Sequence, residues 1–469
     1  MNKRILYAVV MTLVVIGMFG LPATVQAGAY PTQFVTSVTY QNTTAYTATV
    51  QFDFYAENSS TAISIARPDL PAMAGSSLYV GSVSAITSGF RGSAVLISSQ
   101  KLVATLVQLP PSTSPVKNRP LSNGFDVGAT SVLIPTVLKN TYNTNSIFTV
   151  QNVSADPADI EVTFVPTDGL PIVTNITDLP SGAAKYYDMG AVTPVTATTF
   201  NGSVKIRALT GTVVATSMEL STTTTSTYAF EGISQGGNTV YMPSAFCKFG
   251  ATASINSAYA VQNTDDVATA TVTVTYSNGQ SEPSVDILPG KKMSFPGCGT
   301  SGTLNPVGFI GAATITSVGA PVAVVGKIGG SGLSTAYVGF PTGYEKVALP
   351  YVRWTTSYWT AGTRQQVNIA IQNVGTAAIA AGTLAVDFYG RDGVKLGTIT
   401  NPASIAIGGK WSTNASSINP EFGYYSDGSG GSAVVRGPAG SKLAVIARAA
   451  TYLTSTTSAG EDYNAIPIP

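Results

Sequence analysis

Histidine is absent from all 469 residues. That absence excludes Ser-His-Asp and Cys-His catalysis and every zinc site that needs imidazole. Charge is scarce as well: Asp, Glu, Lys and Arg make up 10% of the chain, against about 25% in an average soluble protein. With 24 basic and 23 acidic residues, no net field draws nucleic acid or anionic lipid, and little repulsion keeps copies of the chain apart. No phosphate-cradling motif occurs, since the glycines at Gly428–Gly431 are not followed by Lys-Ser/Thr in a strand-to-helix setting. A convincing helical period is missing throughout.

Two carboxylates alone can run glycoside hydrolysis, yet the adjacent acidic pairs are only Asp265–Asp266 and Glu461–Asp462. Both lie in polar, loop-like stretches that read as solvated turns. The chain is therefore expected not to be an enzyme, and no catalytic residue, metal ligand or cofactor site is assigned. Asp265–Asp266 and Asp427 could furnish oxygen ligands to calcium, but no stretch carries the spaced acids and closing Glu of a calcium-binding loop, and the turn reading is preferred.

Beyond the first 27 residues no segment has the length and continuity of a membrane span. Within them, Lys3 and Arg4 precede an apolar stretch, Ile5 to Leu21, followed by Pro22 and Val25-Gln26-Ala27. This is the layout of a secretory signal cleaved after Ala27; an uncleaved N-terminal anchor is the alternative. Either way the remaining chain is expected outside the cytoplasm, secreted or at the cell surface. Export places Cys247 and Cys298, the two cysteines, where a disulfide persists, and they are expected to pair, with two buried free thiols as the alternative.

What the chain does have is a period. The dipeptide Gln-Asn closes an alternating apolar run at Gln41-Asn42, Gln151-Asn152, Gln262-Asn263 and Gln372-Asn373, with spacings of 110, 111 and 110 residues. A fixed period of that size means one small structural unit copied along the chain. Three copies open with an apolar segment ending in proline: Val132-Leu133-Ile134-Pro135, Val240-Tyr241-Met242-Pro243 and Val347-Ala348-Leu349-Pro350. After Gln-Asn comes a second alternating run, such as Ile160-Glu161-Val162-Thr163-Phe164, rich in β-branched and aromatic residues. Turn pairs follow at Asp168-Gly169, Asn278-Gly279 and Asp392-Gly393. Each copy then holds a glycine-led strand, at Gly92, Gly202, Gly311 and Gly431, and one more apolar strand. Six or seven short strands per copy predict an all-β chain of four tandem antiparallel β-sandwiches. The expected organisation is a signal peptide at 1–27 and repeats at 29–129, 130–237, 238–345 and 346–469, with the cysteines in the third.

On these repeats the chain resembles the tandem immunoglobulin-like β-sandwich proteins of bacterial surfaces, without the Cys-Trp-Cys core of true immunoglobulin domains: three repeats lack cysteine, and all three tryptophans lie in the fourth. The resemblance implies a spacer, adhesin, surface-layer or fibre subunit and transfers no catalytic residue. The expected function is an extracellular structural subunit that self-assembles into a filament, sheath or surface layer, joined by addition of a terminal strand from Thr32–Tyr40 or Asn464–Pro469. Its partner would be itself, as a homopolymer. The alternative is a secreted adhesin or carbohydrate-binding protein, with polysaccharide or cell wall as partner, in which Tyr351, Trp354, Tyr358, Trp359, Trp411, Tyr424 and Tyr425 of the fourth repeat bind a ligand. Core packing or a subunit interface are the other readings of these rings.

Overall fold

The computed structural model describes residues 33–191, 194–223, 225–356, 364–418, 421–423, 431–453 and 458–469. Among these the chain is all-β, with two single-turn 3-10 helices as its only helical elements. The first quarter contributes β1 (Val35–Asn42), β2 (Ala48–Ala56), β3 (Ala62–Leu70), β4 (Gly75–Tyr79), β5 (Gly92–Ser98), β6 (Leu102–Leu109) and β7 (Leu121–Asn123). The second holds β8 (Ser131–Lys139), β9 (Thr144–Asn152), β10 (Ala158–Pro166), β11 (Ile172–Leu179), β12 (Ala184–Asp188), β13 (Phe200–Ala208), β14 (Val213–Ser221) and β15 (Thr227–Glu231). In the third are β16 (Thr239–Cys247), β17 (Asn256–Asn263), β18 (Ala270–Tyr276), β19 (Val285–Ile287), β20 (Lys292–Pro296), β21 (Phe309–Val318), β22 (Val322–Gly330) and β23 (Leu333–Val338). The fourth has β24 (Lys346–Val352), β25 (Trp354–Thr355), β26 (Arg364–Asn373), β27 (Ala385–Tyr389), β28 (Lys395–Thr400), β29 (Lys410–Asn414), β30 (Gly431–Arg436), β31 (Leu443–Tyr452), β32 (Ser458–Asn464) and β33 (Ile466–Pro467).

Each quarter forms two antiparallel sheets around a shared apolar core, an arrangement of the β-sandwich type. In the second quarter the sheets run β11-β10-β13-β8 and β12-β9-β14-β15, and the third repeats that order as β19-β18-β21-β16 and β20-β17-β22-β23. The fourth extends the first type of sheet with β33, giving β28-β27-β30-β24-β33. Alternation along the strands fills the core: in β10, Ile160, Val162 and Phe164 point inward and are fully buried.

The repeated asparagine is a structural clamp. Asn152 Nδ2 donates to Asp156 O (2.8 Å) and Leu179 O (2.9 Å), while its Oδ1 accepts from Ser154 N (2.8 Å). Asn42, Asn263 and Asn373 make the corresponding bonds; the first three copies tie the turn after the strand to the end of a strand in the facing sheet, and Asn373 ties it to the segment at Ile405. All four side chains are buried. An Asx turn that also closes two sheets needs the amide's donor and acceptor together, which is why the residue returns in every copy. Position 202 tolerates only glycine for a packing reason: a Cβ there would lie 2.3 Å from Val165 O.

Two sequence expectations change. The prolines of the opening segments do not end their strands; they occupy register shifts inside β8, β16 and β24, where no ladder N–H is required of them. And the short strand that follows Leu179-Pro180-Ser181-Gly182, β12, has counterparts in β4, β20 and β29, none of which shows in the sequence because each is short and half-buried.

The quarters do not string out into a rod. In three joints the β-sheet face of one quarter lies on the opening strand of the quarter before it: β17 and β22 on β8, β26 and β31 on β16, and β1 and β6, from the start of the chain, on β24. Apolar residues cross these joints. Ala323 and Val325 belong to the second quarter's core, Ala444 and Ile446 to the third's, and Val107 and Leu121 to the fourth's. The closing strands β7, β15, β23 and β32 meet one another in a cycle, so the chain's end seals against its beginning.

Candidate functional site: an uncovered face in the first quarter

Cys247 and Cys298 are bonded, with their Cα atoms 4.7 Å apart and a sequence separation of 51. They link the end of β16 to the turn after β20 in the facing sheet. The aromatic residues of the fourth quarter scatter. Tyr351 is 2% exposed, its ring edge-on to Tyr463 with centroids 6.5 Å apart and the Arg353 guanidinium 4.4 Å from its face. Trp354 and Trp411 are half-buried against the same core, on β25 and β29. Tyr358, Trp359, Tyr424 and Tyr425 lie outside the described residues. Among the described residues no group of three or more His, Cys, Asp or Glu is placed to hold a metal ion, and no helix is long and apolar enough to cross a membrane.

Glu461–Asp462, read from sequence as a solvated turn, lies instead on β32 with each residue 1% exposed. Glu461 ion-pairs with Arg119 from the first quarter, and Asp462 takes both ends of the Arg448 guanidinium (2.7 and 2.8 Å). Around Arg119 the closing strands exchange polar contacts. Asn118 Oδ1 accepts from Ser334 N (3.1 Å) and Gly460 N (3.0 Å), and its Nδ2 donates to Gly332 O (2.8 Å). Asn123 donates from Nδ2 to Asn464 O (2.7 Å) and from its backbone to the Glu231 carboxylate. All four quarters thus meet in one buried polar hub. Burial pushes the Glu231 and Glu461 carboxyls above the ordinary range, against the pull of Asn123 N–H on the first and of Arg119 on the second.

The joints carry enclosed lysines, Lys292 buried and Lys410 half-buried. Lys292 Nζ donates to Thr136 Oγ1 (3.3 Å), across from Lys327, whose Nζ meets Glu219 at 2.5 Å. Lys410 holds the matching place in the next joint, donating to Gly311 O (3.1 Å) beside Arg448 and the Phe246 ring. Desolvation, and then repulsion from Lys327 or Arg448, lowers both lysines from 10.5 to about 7. The unfolded chain keeps these protons up to the ordinary value and the folded chain releases them near 7, so the folded state binds fewer protons between the two and gains stability as pH rises through that window. The variant with Lys292→Met and Lys410→Met is expected to be more stable than the parent at pH 6, with an advantage that shrinks toward pH 10. Urea midpoints measured across that range check this, and an advantage independent of pH would refute it.

One face departs from the pattern. Among the described residues the first quarter has no counterpart of β8, β16 and β24; β5, which would carry it, pairs only with β2 in the sheet β3-β2-β5. The burial of β6 is inverted as a result. Its inward residues Leu102, Ala104 and Leu106 are only half-buried, although Val213, Ala215, Val322, Val324, Leu443 and Val445 at the first two of those positions are buried in the other quarters. Its outward residues Val103, Thr105 and Val107, lying under β24, are buried. Ala94 and Leu96 of β5 are half-buried too, where Val204 and Ile206 are fully enclosed. The strand edge itself reads Gly92-Ser93-Ala94-Val95-Leu96-Ile97-Ser98, with no charge, proline or bulge to discourage pairing.

No protein-family model matches the chain, and neither does any curated protein. The reading therefore rests on geometry. At the other end of the chain, the segment expected to be a free terminal strand is already in use: Asn464 bonds Val338 in both directions (3.0 and 2.7 Å), Ile466 pairs with Ala348, and Ile468 is buried between Val103 and Ala348. Sequence reasoning missed the hub and the uncovered face. The hub's residues are spread over more than 300 positions and carry no local signal. The face has a sequence signal: three repeats open on an apolar-Pro segment well ahead of their first alternating strand, and the described residues before β1 hold none.

Proposed function

We propose that this chain is a non-enzymatic extracellular structural subunit that assembles with copies of itself into a filament, sheath or surface layer. Its repeats are read as four immunoglobulin-like sandwiches, exported behind a leader cleaved after Ala27. The observation that supports assembly is the face beside β5, where an uncharged strand edge, unpaired among the described residues, adjoins half-exposed leucines of a sandwich interior. Such an edge in a secreted protein is a template for strand addition unless something covers it. A surface with few charges offers little repulsion against a second copy. The test is electron microscopy of the purified chain from Gly28, alongside its mass in solution over a range of concentrations. Regular fibres or sheets are the expected result. A monodisperse single-chain mass at every concentration would defeat the assembly reading.

A further inference from the structure

We infer that the first quarter is completed in trans: residues 29–34 of one copy enter the place beside β5 of another and pair antiparallel with that strand. This deepens the assembly reading and rests on it.

The place is defined by its complete counterparts. β8 sits between β13 and the face made by β17 and β22, and β16 sits between β21 and the face of β26 and β31. In the first quarter the two flanks are β5 and the outward face of β9 and β14. They are already held at the usual setting: Ser93 Oγ donates to Gly182 O (2.5 Å) just as Ser203 Oγ donates to Gly290 O (2.8 Å) across the next joint. Only the strand between the flanks is lacking among the described residues. Gln151, on the second flank, reports the same thing. Gln41, Gln262 and Gln372 are buried at their joints, whereas Gln151, Thr216 and Met218 are partly exposed.

The occupant is written at the start of the chain. Tyr30-Pro31-Thr32-Gln33-Phe34 has the order apolar, proline, hydroxyl, any residue, apolar found in Met242-Pro243-Ser244-Ala245-Phe246 and in Ile134-Pro135-Thr136-Val137-Leu138. It cannot serve its own repeat. Between Leu138 and β9 the chain crosses from one sheet to the other through a turn in which Asn140, Tyr142 and Asn143 take positive φ. Phe34 is followed directly by β1 at Val35, which leaves no residues for that turn. Joined to β1 with no residues for a turn, this segment lacks the length to return to its own sandwich, and the acceptor is a second molecule. By the register of the complete joints, where Ile134 faces Val204, Met242 faces Ala313 and Leu349 faces Ala433, Tyr30 would face Ala94 of the acceptor. Each copy then has one donor and one acceptor, so growth is head to tail and unbranched.

The experiment uses chains beginning at Gly28. Tyr30→Cys on one and Ala94→Cys on the other, mixed and oxidised, should give a disulfide-linked pair that neither chain forms alone. A chain lacking residues 28–33 should stay single and should bind a synthetic peptide of residues 28–36, with the Tyr30→Asp peptide about tenfold weaker or worse. If that shortened chain assembles as the parent does, the donor assignment is wrong while the assembly reading stands; if the parent never assembles, the assembly reading itself falls. A link between Tyr30→Cys and Ala94→Cys within one chain would overturn pairing in trans. So would a monomeric full chain that retains its leader and links Leu21→Cys to Ala94→Cys, since Pro22 precedes Gln41 by the same 19 residues that separate Pro243 from Gln262.

Discussion

Arg119→Ala is expected to lower the unfolding free energy by about 3–5 kcal/mol, the range for removing one partner of a buried ion pair. The size of the effect comes from what remains. Glu461 stays in the hub with its carboxylate cut off from water and from its cation, leaving only the more distant influence of Arg353 to favour its charge. Its carboxyl is already raised above the ordinary range by burial, so the folded state binds its proton more tightly than the unfolded state does. The variant can relieve the strain by taking up that proton. Its deficit should therefore shrink as pH falls from 7 toward 4, because folding then gains the proton that the unfolded chain gives up first. Adding Glu461→Gln to Arg119→Ala should recover part of the loss at pH 7 through a coupling term in the double-mutant cycle. Chemical denaturation of the parent, both single variants and the double variant at the two pH values measures all of this. A deficit under 1 kcal/mol, or one unchanged with pH, would mean that Arg119 and Glu461 do not form a buried pair.

Replacing both Cys247 and Cys298 by Ser is expected to cost about 2–4 kcal/mol. The bond closes a separation of 51 residues, and the chain-entropy model gives about 4 kcal/mol for a loop of that length. It also fixes the margin where β16 and the turn after β20 leave the sandwich, and β16 is the strand on which β26 and β31 of the fourth quarter rest. The loss should thus extend to the neighbouring quarter. Hydrogen exchange should rise in β26 and β31 as well as in β16 and β17, and reducing the parent protein should reproduce the double variant. If reduction leaves the denaturation midpoint unchanged, the bond carries no stability.

Much of the fold was legible because its signals are local. Period-two runs marked β9, β10 and β18, glycine pairs marked the hairpin turns, and Gln-Asn marked the repeat, the asparagine recurring because one side chain clamps two sheets. The expected export, with an even pair of cysteines, pointed to the disulfide that forms. The arrangement of the quarters was not legible. It depends on contacts between residues such as Asn118 and Gly460, and no periodicity encodes which face of one sandwich meets the next. The acidic pair at Glu461–Asp462 was misjudged for the same reason: a polar tetrad, Glu461 to Asn464, looks solvated until the strands that bury it arrive from the first and third quarters. Of the readings open for the aromatic residues of the fourth quarter, core packing is the one that Tyr351 follows, since its ring lies in a core.

The seal between the two ends of the chain sets an order in time. Val103 and Val107 are covered by β24 and its neighbours, and Asn118 and Asn123 are bonded to Gly460 and Asn464. A chain that emerges from its N-terminus first must therefore hold its earliest sandwich exposed on both faces until its last hundred or so residues have followed, since contacts so distant in sequence form late. The quarter made first is the last to be covered by its neighbours.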